Sequence, residues 1–429
     1  MKAGFVCSPI FAKTNIARRF GRGTIFVLLV MFLLVGAWPV SAVWAAATEW
    51  EAPYVQAMGW AKQERYEQAL TALAQLQTKY PTVAQILFDY AVVLHWGGRD
   101  KAATALYESR ISRRRDVPAY VQEAIANAYF RQQQYAPARI LYQALATSDE
   151  RRSRRARLME AEVLILQNDP AAAQQIYEAM LKEQPDDLEV YLARGRARLG
   201  NGDSRRASED FLIAQAVAKK QKDAAKQKQI DALLATALLR AGDLEQAVLV
   251  LHPYIRSGQA DASMQIDYIT GLSFGGKADR AVAEAREFWP DLLTAPVPAV
   301  RTLGDAYMVV AKYDAAIVVY DIVLRRDPKN QLAMLGMAAA RVQKGQLNEA
   351  VQLYERALAL NLQLANIVLD DCLQYMVQGK AAVAQRVFAL IKTRIPIQSN
   401  FFRQYAERLK QTESPNEALK NLRLLQGQP

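Results

Sequence analysis

The stretch LGDAYMVVAKYDAAIVVYDIVLRRDP, residues 303–328, carries the pattern that decides the fold. Ala316 is followed four residues later by the large Tyr320 and is preceded twelve residues earlier by the small Gly304. Residues four apart share one face of a helix, so small and large side chains are expected to meet where two helices cross. Pro328 ends the second helix, because proline cannot continue the hydrogen-bond ladder. The stretch therefore predicts a hairpin of two helices.

The same alanine returns along almost the whole chain. The successive intervals are 34, 35, 35, 34, 40, 34, 35, 34, 34 and 34 residues. A period near 34 is typical of a stacked array of helix pairs. The alanines are Ala69, Ala103, Ala138, Ala173, Ala207, Ala247, Ala281, Ala316, Ala350, Ala384 and Ala418.

A turn former often stands five residues before the alanine, where a tight connection between two helices is needed. It is Gly98, Asn168, Gly202, Gly242, Gly276, Gly345 or Gly379. This pattern, clearest in residues 303–328 and 336–358, resembles the tetratricopeptide repeat. The resemblance spans roughly residues 50–425 and implies an all-α, right-handed superhelical solenoid of about eleven helix-turn-helix units. Such arrays present a long surface to partners.

One unit has a longer stride than the others. Its 40-residue interval contains the lysine-rich stretch AVAKKQKDAAKQKQ, residues 216–229. We expect this insertion to lengthen two facing helices or to form an exposed loop.

The unit around Ala281 departs in another way. Ala285 stands where the large residue is expected, and Ile269 where the small one is expected. The unit runs into FWPDLLTAPVPAV, residues 288–300, whose prolines are excluded from helix interiors. We therefore expect a break or joint here, dividing the array into residues 48–290 and 291–429. Uniform protease resistance across residues 285–300 would contradict that joint.

Residues 1–47 have the composition of an export signal. The first 22 residues include five basic and no acidic side chains, an apolar run follows from Ile25 to Val35, and small residues close the segment at Ala45–Ala47. This order is typical of a secretory signal peptide. The uncharged stretch of 25 residues from Gly23 to Ala47 is also long enough to be an uncleaved membrane anchor. Either way we expect export to the periplasm, soluble if the signal is cleaved and otherwise anchored in the inner membrane.

The charge of the chain is positive and unevenly distributed. The net charge is +11 overall, and the residues after 47 retain 49 basic and 43 acidic side chains, a net +6. Many of the arginines and lysines lie close together in the sequence. Clusters of basic side chains attract anionic partners, among them acidic proteins, glycans and lipid head groups. The alternative is that they are solvated helix ends. Export argues against a nucleic-acid partner. The predicted basic cluster comprises Arg113, Arg114, Arg115, Arg151, Arg152, Arg154 and Arg155.

The residues needed for catalysis or metal binding are scarce. His95 and His252 are the only histidines, and they lie in different units. A metal site needs three or four convergent ligands. The sequence also has no phosphate-binding loop or nucleophile motif of recognised spacing. We predict that the protein is not an enzyme and has no catalytic residue, cofactor or metal.

The repeat family lines its concave face with the first helix of each unit, which implies a groove for partners. Aromatic side chains interleaved with arginine stack on sugar rings or grip extended peptides. The alternative is that half of these residues belong to the core between repeats. The candidate positions are Tyr54, Phe88, Trp96, Tyr120, Asn127, Phe130, Arg131, Arg155, Glu162 and Arg196.

Residues 90–146 are similar to a narrower family, the periplasmic repeat region of the outer-membrane porin that exports poly-β-1,6-N-acetylglucosamine. The similar features are the Trp-Gly-Gly-x-Asp-Lys turn at 96–101, the long link through Arg113–Arg115 to Pro118, and Ala-Tyr-x-x-x-Gln-Gln-Tyr at 128–135. In that family the repeats face the periplasm, hold the deacetylase partner or the polymer, and precede a β-barrel.

The barrel is not expected in this chain. The sequence ends eleven residues after Ala418, whereas eight strands need on the order of 100 residues. We therefore expect a non-catalytic periplasmic scaffold that binds protein or glycan partners in exopolysaccharide (poly-N-acetylglucosamine) export and biofilm formation. The alternative is a general protein–protein adaptor for envelope or surface-structure assembly.

Overall fold

The computed structural model describes residues 49–147 and 150–394, which fold into consecutive α-helices without a strand. Two compact units divide the chain, Met1–Ser148 and Asp149–Pro429. The first unit holds α1 (Glu51–Lys62), α2 (Tyr66–Lys79), α3 (Ala84–Trp96), α4 (Asp100–Leu106), α5 (Ala119–Arg131) and α6 (Tyr135–Leu145). A π-helical turn, Tyr107–Ile111, continues α4.

The second unit contains the remaining helices and one 3₁₀ turn, Leu362–Leu364, before α19. They are α7 (Glu150–Leu166), α8 (Pro170–Glu183), α9 (Leu188–Gly200), α10 (Ser204–Gln221), α11 (Ala224–Ala241), α12 (Leu244–Arg256), α13 (Ala262–Phe274), α14 (Ala278–Phe288), α15 (Val297–Val309), α16 (Tyr313–Arg326), α17 (Gln331–Gln343), α18 (Leu347–Leu360), α19 (Ala365–Val377) and α20 (Ala381–Arg394).

Odd-numbered and even-numbered helices pair into ten consecutive hairpins, which confirms the all-α repeat fold. The repeated alanine of each hairpin, from Ala69 to Ala384, has no exposed surface. Ala418, in the eleventh predicted unit, lies outside the described residues, as does the predicted export signal.

Close approach of the two helices explains why small residues recur. A Cβ atom added to Gly195 would lie 2.6 Å from Cε1 of Phe211, and one added to Gly304 would lie 2.7 Å from Cε1 of Tyr320. The aromatic ring therefore occupies the space that a larger side chain at the glycine would need.

The unit around Ala281 exchanges the small and the large residue of the helix crossing. Ile269 stands at the small position and Ala285 at the large one, and both are fully buried in the same core. A volume-conserving exchange of this kind leaves core packing intact.

The 40-residue interval lengthens two facing helices, as predicted. Helices α10 and α11 have 18 residues each, whereas the neighbouring α9 and α12 have 13. The extra residues fall at the end of α10 and at the start of α11, the facing helices of two successive hairpins, and each helix extends by about one turn, roughly 6 Å.

The proline-rich link between α14 and α15 is packed within the second unit. Trp289 and Ala295 are buried. Nη1 of Arg326 donates hydrogen bonds to the carbonyls of Leu292 and Ala295 at 2.9 and 2.6 Å. The division of the array at residues 290 and 291 stays a prediction.

A left-handed backbone conformation closes every described hairpin at the same repeat position. The ten residues with positive φ at this position are Glu64, Gly98, Gln133, Asn168, Gly202, Gly242, Gly276, Ala311, Gly345 and Gly379. Ala311 adopts this conformation at φ 57° although it is not glycine or asparagine. The position in the repeat therefore imposes the left-handed conformation even on a residue that does not favour it.

None of the helices in the described ranges is long and apolar enough to cross a membrane.

Replacing Ala311 by glycine should stabilise the protein by about 1 kcal/mol. An L-residue in the left-handed region costs roughly 1–2 kcal/mol, of which glycine's larger loss of chain entropy offsets part. Ala311 is exposed, so no buried contact is lost. The measurement is the chemical denaturation midpoint of the full chain.

The matched control is Gly345→Ala at the equivalent turn, φ 77°. It should destabilise by a similar amount. A loss of stability in Ala311→Gly would show that the left-handed conformation is not strained there.

Candidate partner-binding surface

The carboxylate of Asp89 joins three successive first helices in the first unit. The Tyr54 hydroxyl on α1 donates to Oδ2, the Tyr120 hydroxyl on α5 donates to Oδ1 at 2.9 Å, and Nε2 of Gln85 on α3 donates to Oδ2 at 2.5 Å. Asp89 itself is buried. Burial and the Asp89 charge raise the pKa of both tyrosines, so both hydroxyls stay protonated and donate. Tyr54 and Tyr120 are therefore held in fixed positions.

The C-terminal ends of α3 and α5 carry aromatic and arginine side chains at matching repeat positions. Trp96 is the last residue of α3 and is 44% exposed. Phe130 and Arg131 end α5, and the Phe130 ring packs edge-on against Tyr135, with centroids 6.1 Å apart. Helices α3 and α5 pack together. We call Trp96, Phe130 and Arg131 the aromatic ledge.

Asp100 holds the base of the ledge. Nδ1 of His95 lies 2.6 Å from Oδ1 of Asp100, and Nη1 of Arg131 lies 3.6 Å from Oδ2. Burial lowers the pKa of His95 below its ordinary value, with Asp100 acting in the opposite direction. The neutral imidazole donates from Nδ1 to the carboxylate. The Arg131 side chain remains 53% exposed, so its guanidinium is oriented and still accessible.

Phe88 does not line this surface, contrary to our prediction. It is only 3% exposed, because it packs in the core. The guanidinium of Arg114 lies over its ring, 5.5 Å from the centroid. Asn127 is partly exposed, and its Oδ1 accepts a hydrogen bond from the buried Tyr142 hydroxyl at 2.8 Å. Phe88 thus belongs to the core, and Asn127 contributes at least part of its polarity to its own hairpin.

The predicted positions of the second unit are exposed on its first helices. Arg155 and Glu162 lie on α7, and Arg196 lies on α9. Loss of hydration raises the pKa of Glu162, and the positive charge of Arg196 acts against that shift. The two side chains therefore influence each other across neighbouring repeats.

Part of the predicted basic cluster is engaged in ion pairs. Arg114 makes two hydrogen bonds to Asp116, at 2.9 and 2.7 Å. Arg154 makes two to Asp187, at 2.7 and 2.6 Å. Burial opposes ionisation of Asp187, but Arg154 and the backbone N–H of Val190 outweigh it and lower the pKa. Arg154 thus joins α7 to the residue that caps α9, whereas the Arg114–Asp116 pair is exposed and local to one loop.

Other members of the cluster differ in exposure. Arg113, Arg115, Arg151 and Arg155 are exposed, and Arg152 is partly exposed. The clusters thus combine structural and surface arginines, which their spacing alone does not separate.

Sequence reasoning missed Asp89 and Asp100 as organisers of the surface. Asp89 had a signal, because it is the single charged residue in the otherwise apolar stretch AQILFDYAVVLHW of α3. Asp100 had none beyond its place in the Trp-Gly-Gly-x-Asp-Lys turn, where an acid at a helix start is ordinary.

Across residues 49–147 and 150–394, no group of three or more His, Cys, Asp or Glu side chains is arranged to hold a metal ion.

Comparison with known proteins identifies the repeat. The tetratricopeptide repeat family matches residues 54–114, 123–187 and 301–361. The chain therefore carries tetratricopeptide repeats, which serve as scaffolds for protein–protein interaction and are generally non-catalytic. No curated protein matches the chain.

Among solved structures, the chain is similar to one in a structure described as Naa15/Naa10 bound to HypK-THB. The identity is 14%, 87% of this chain and 73% of that chain are covered, and the TM-score is 0.29.

Replacing Asp89 by leucine should destabilise the protein by about 2–4 kcal/mol. The change removes a buried charged acceptor and leaves the Tyr54 and Tyr120 hydroxyls without their partner, and each lost buried bond of this kind costs about 1–3 kcal/mol. Chemical denaturation of the full chain measures the effect.

The matched control is Asp314→Leu, which removes a 78% exposed carboxylate 2.9 Å from Lys344. An exposed pair contributes less than about 1 kcal/mol. Equal losses in the two variants would mean that Asp89 does not organise the first helices.

Proposed function

We propose that this chain is an exported, non-catalytic scaffold of the cell envelope, with the aromatic ledge as its partner-binding surface. Tetratricopeptide repeats support the scaffold role. The order of basic, apolar and small residues in 1–47 supports export to the periplasm.

The observation that carries the proposal is the exposure of Trp96 and Arg131 on the ledge. Trp96 is 44% exposed although it ends a helix whose other large apolar residues are mostly buried. Asp100 orients the Arg131 guanidinium beside this region without covering it. Rigid aromatic groups and a planar guanidinium bind a partner with little loss of side-chain freedom.

The partner class we favour is an exopolysaccharide rich in N-acetylglucosamine, bound during synthesis or export. Aromatic faces stack on the apolar faces of sugar rings, and arginine donates hydrogen bonds to ring substituents. The resemblance of residues 90–146 to the export porin supports the same class, and the ledge lies within that stretch.

A general protein–protein adaptor is the second candidate. The exposed arginines Arg113, Arg115 and Arg151 favour it, because clustered guanidinium groups attract acidic protein surfaces. This reading predicts salt-sensitive capture of a protein and no retention of glycan.

Replacing Trp96 and Phe130 by alanine should weaken retention of poly-β-1,6-N-acetylglucosamine oligomers about 10-fold or more. Each change removes a stacking face, and aromatic contacts contribute about 0.5–1.5 kcal/mol beyond their buried area. The measurement is binding of labelled oligomers to the purified full chain, with circular dichroism to confirm folding.

Phe274→Ala is the matched control. Phe274 ends α13 at the same repeat position as Trp96 and is 58% exposed. Its removal should leave retention unchanged. If the unmodified protein retains no oligomer, the glycan proposal fails and the adaptor remains.

A further inference from the structure

The lengthened helices α10 and α11 belong to successive hairpins, and the turn that joins them carries a cluster of lysines. Lys219, Lys220 and Lys222 are exposed at its tip, and residue 222 turns the chain with φ 57°. We call residues 216–229 the lysine finger. Its length comes from the 40-residue interval, which no other pair of neighbouring repeat alanines has.

A buried carboxylate fixes the base of the finger. Asp231 on α11 is 7% exposed. It accepts hydrogen bonds from Gln215 on α10 at 2.7 Å, from Gln227 on α11 at 3.0 Å and from Tyr254 on α12 at 2.6 Å. Three helices are thus tied together where the extension begins.

Two of the five lysines brace the finger on its sides. Nζ of Lys226 donates to Oε1 of Glu189 on α9 at 2.8 Å, and Nζ of Lys228 donates to the carbonyl of Gln259 at 2.6 Å. The carboxylate of Asp223 accepts the backbone N–H of Lys226 at 3.0 Å and caps α11. These contacts leave the ammonium groups of the tip facing solvent.

Exposed apolar side chains share the outer face of α10 with the tip lysines. Leu212 and Ile213 are 48% and 41% exposed. Ala216 is also exposed; it follows Leu212 by four residues and precedes Lys219 by three on the same helix. Glu209 is an exposed acid one turn before Leu212. The face therefore passes from apolar to strongly basic toward the tip.

We propose that the lysine finger docks on an anionic lipid surface. Lysine and exposed leucine or isoleucine on one helix face are the composition of interfacial helices, with the apolar groups entering the head-group region. Each lysine near an anionic bilayer contributes independently of orientation, because an ammonium group acts as a point charge. Paired recognition of protein carboxylates favours the planar fork of arginine, which the finger lacks.

The finger lies in the second unit, and its function does not depend on the aromatic ledge. It would hold the scaffold against a membrane whether or not residues 1–47 are cleaved. The proposal therefore adds a membrane contact to the proposed scaffold role and is tested separately from it.

The test is a local one, because residues 1–47 can themselves bind lipid. A fluorophore is placed at Ala216→Cys in a full chain that also carries Cys7→Ser. Cys372 is buried and burial raises its thiol pKa, so it reacts slowly. The probe is mixed with phosphatidylcholine vesicles containing phosphatidylglycerol, and with vesicles of phosphatidylcholine alone.

We expect the emission to shift to shorter wavelength with the anionic vesicles only, and the shift to disappear at high salt. The triple change Lys219→Gln, Lys220→Gln and Lys222→Gln should lower the partition coefficient at this site about 10- to 100-fold. The matched control changes the exposed Lys101, Lys277 and Lys329 to Gln and removes the same charge from other parts of the chain. It should leave the partition coefficient at Ala216→Cys unchanged.

Three results would overturn the proposal. An equal shift with neutral vesicles would assign the contact to apolar insertion without charge. An equal loss of partitioning in both triple variants would assign the vesicle contact to the net charge of the protein alone. A shift with soluble polyglutamate and none with anionic vesicles would assign the finger to an acidic protein.

Discussion

The close crossing of two helices in each hairpin is the constraint on which the structure depends. The repeated alanines from Ala69 to Ala384 have no exposed surface, and a single added Cβ at Gly195 or Gly304 would meet an aromatic ring at 2.6 or 2.7 Å. Because packed interiors tolerate little added volume, each unit must match one small and one large residue. In one unit the small and the large position are exchanged, and both Ile269 and Ala285 stay fully buried.

This constraint explains how much of the fold could be predicted from the sequence. Alanine spacing located the ten described hairpins, since a period records packing directly. The turns were less visible: Glu64, Gln133 and Ala311 adopt the left-handed conformation that their residue types do not announce. The candidate surface was predicted in part. Trp96 and Arg131 are exposed, but Phe88 is buried. The periodicity of a helix does not show whether a loop, such as the one that carries Arg114, covers one of its faces.

Polar contacts between successive repeats form a second level of order that composition does not reveal. Between successive repeats, the Tyr354 hydroxyl donates to Asp371 at 2.8 Å, as the Tyr54 and Tyr120 hydroxyls do to Asp89. Within one hairpin, the Tyr320 hydroxyl donates to Asp305 at 2.6 Å. Apolar stacking alone would permit small sliding between neighbouring helices. A buried carboxylate with directional donors allows only one register, because an unpaired buried charge is costly. These bonds therefore fix the register of the helices that they join.

The same logic separates structural charges from those able to meet a partner. Arg154 is tied to Asp187 by two hydrogen bonds, and Arg194 and Arg198 share the buried carboxylate of Asp210. Arginine suits this role because its planar fork pairs with a carboxylate in one geometry. The tip lysines of the finger lie instead at the turn between α10 and α11, two helices that Asp231 already joins. Net charge therefore overstates the basic surface at the arginine clusters, whereas the three exposed lysines of the finger lie close together in the sequence.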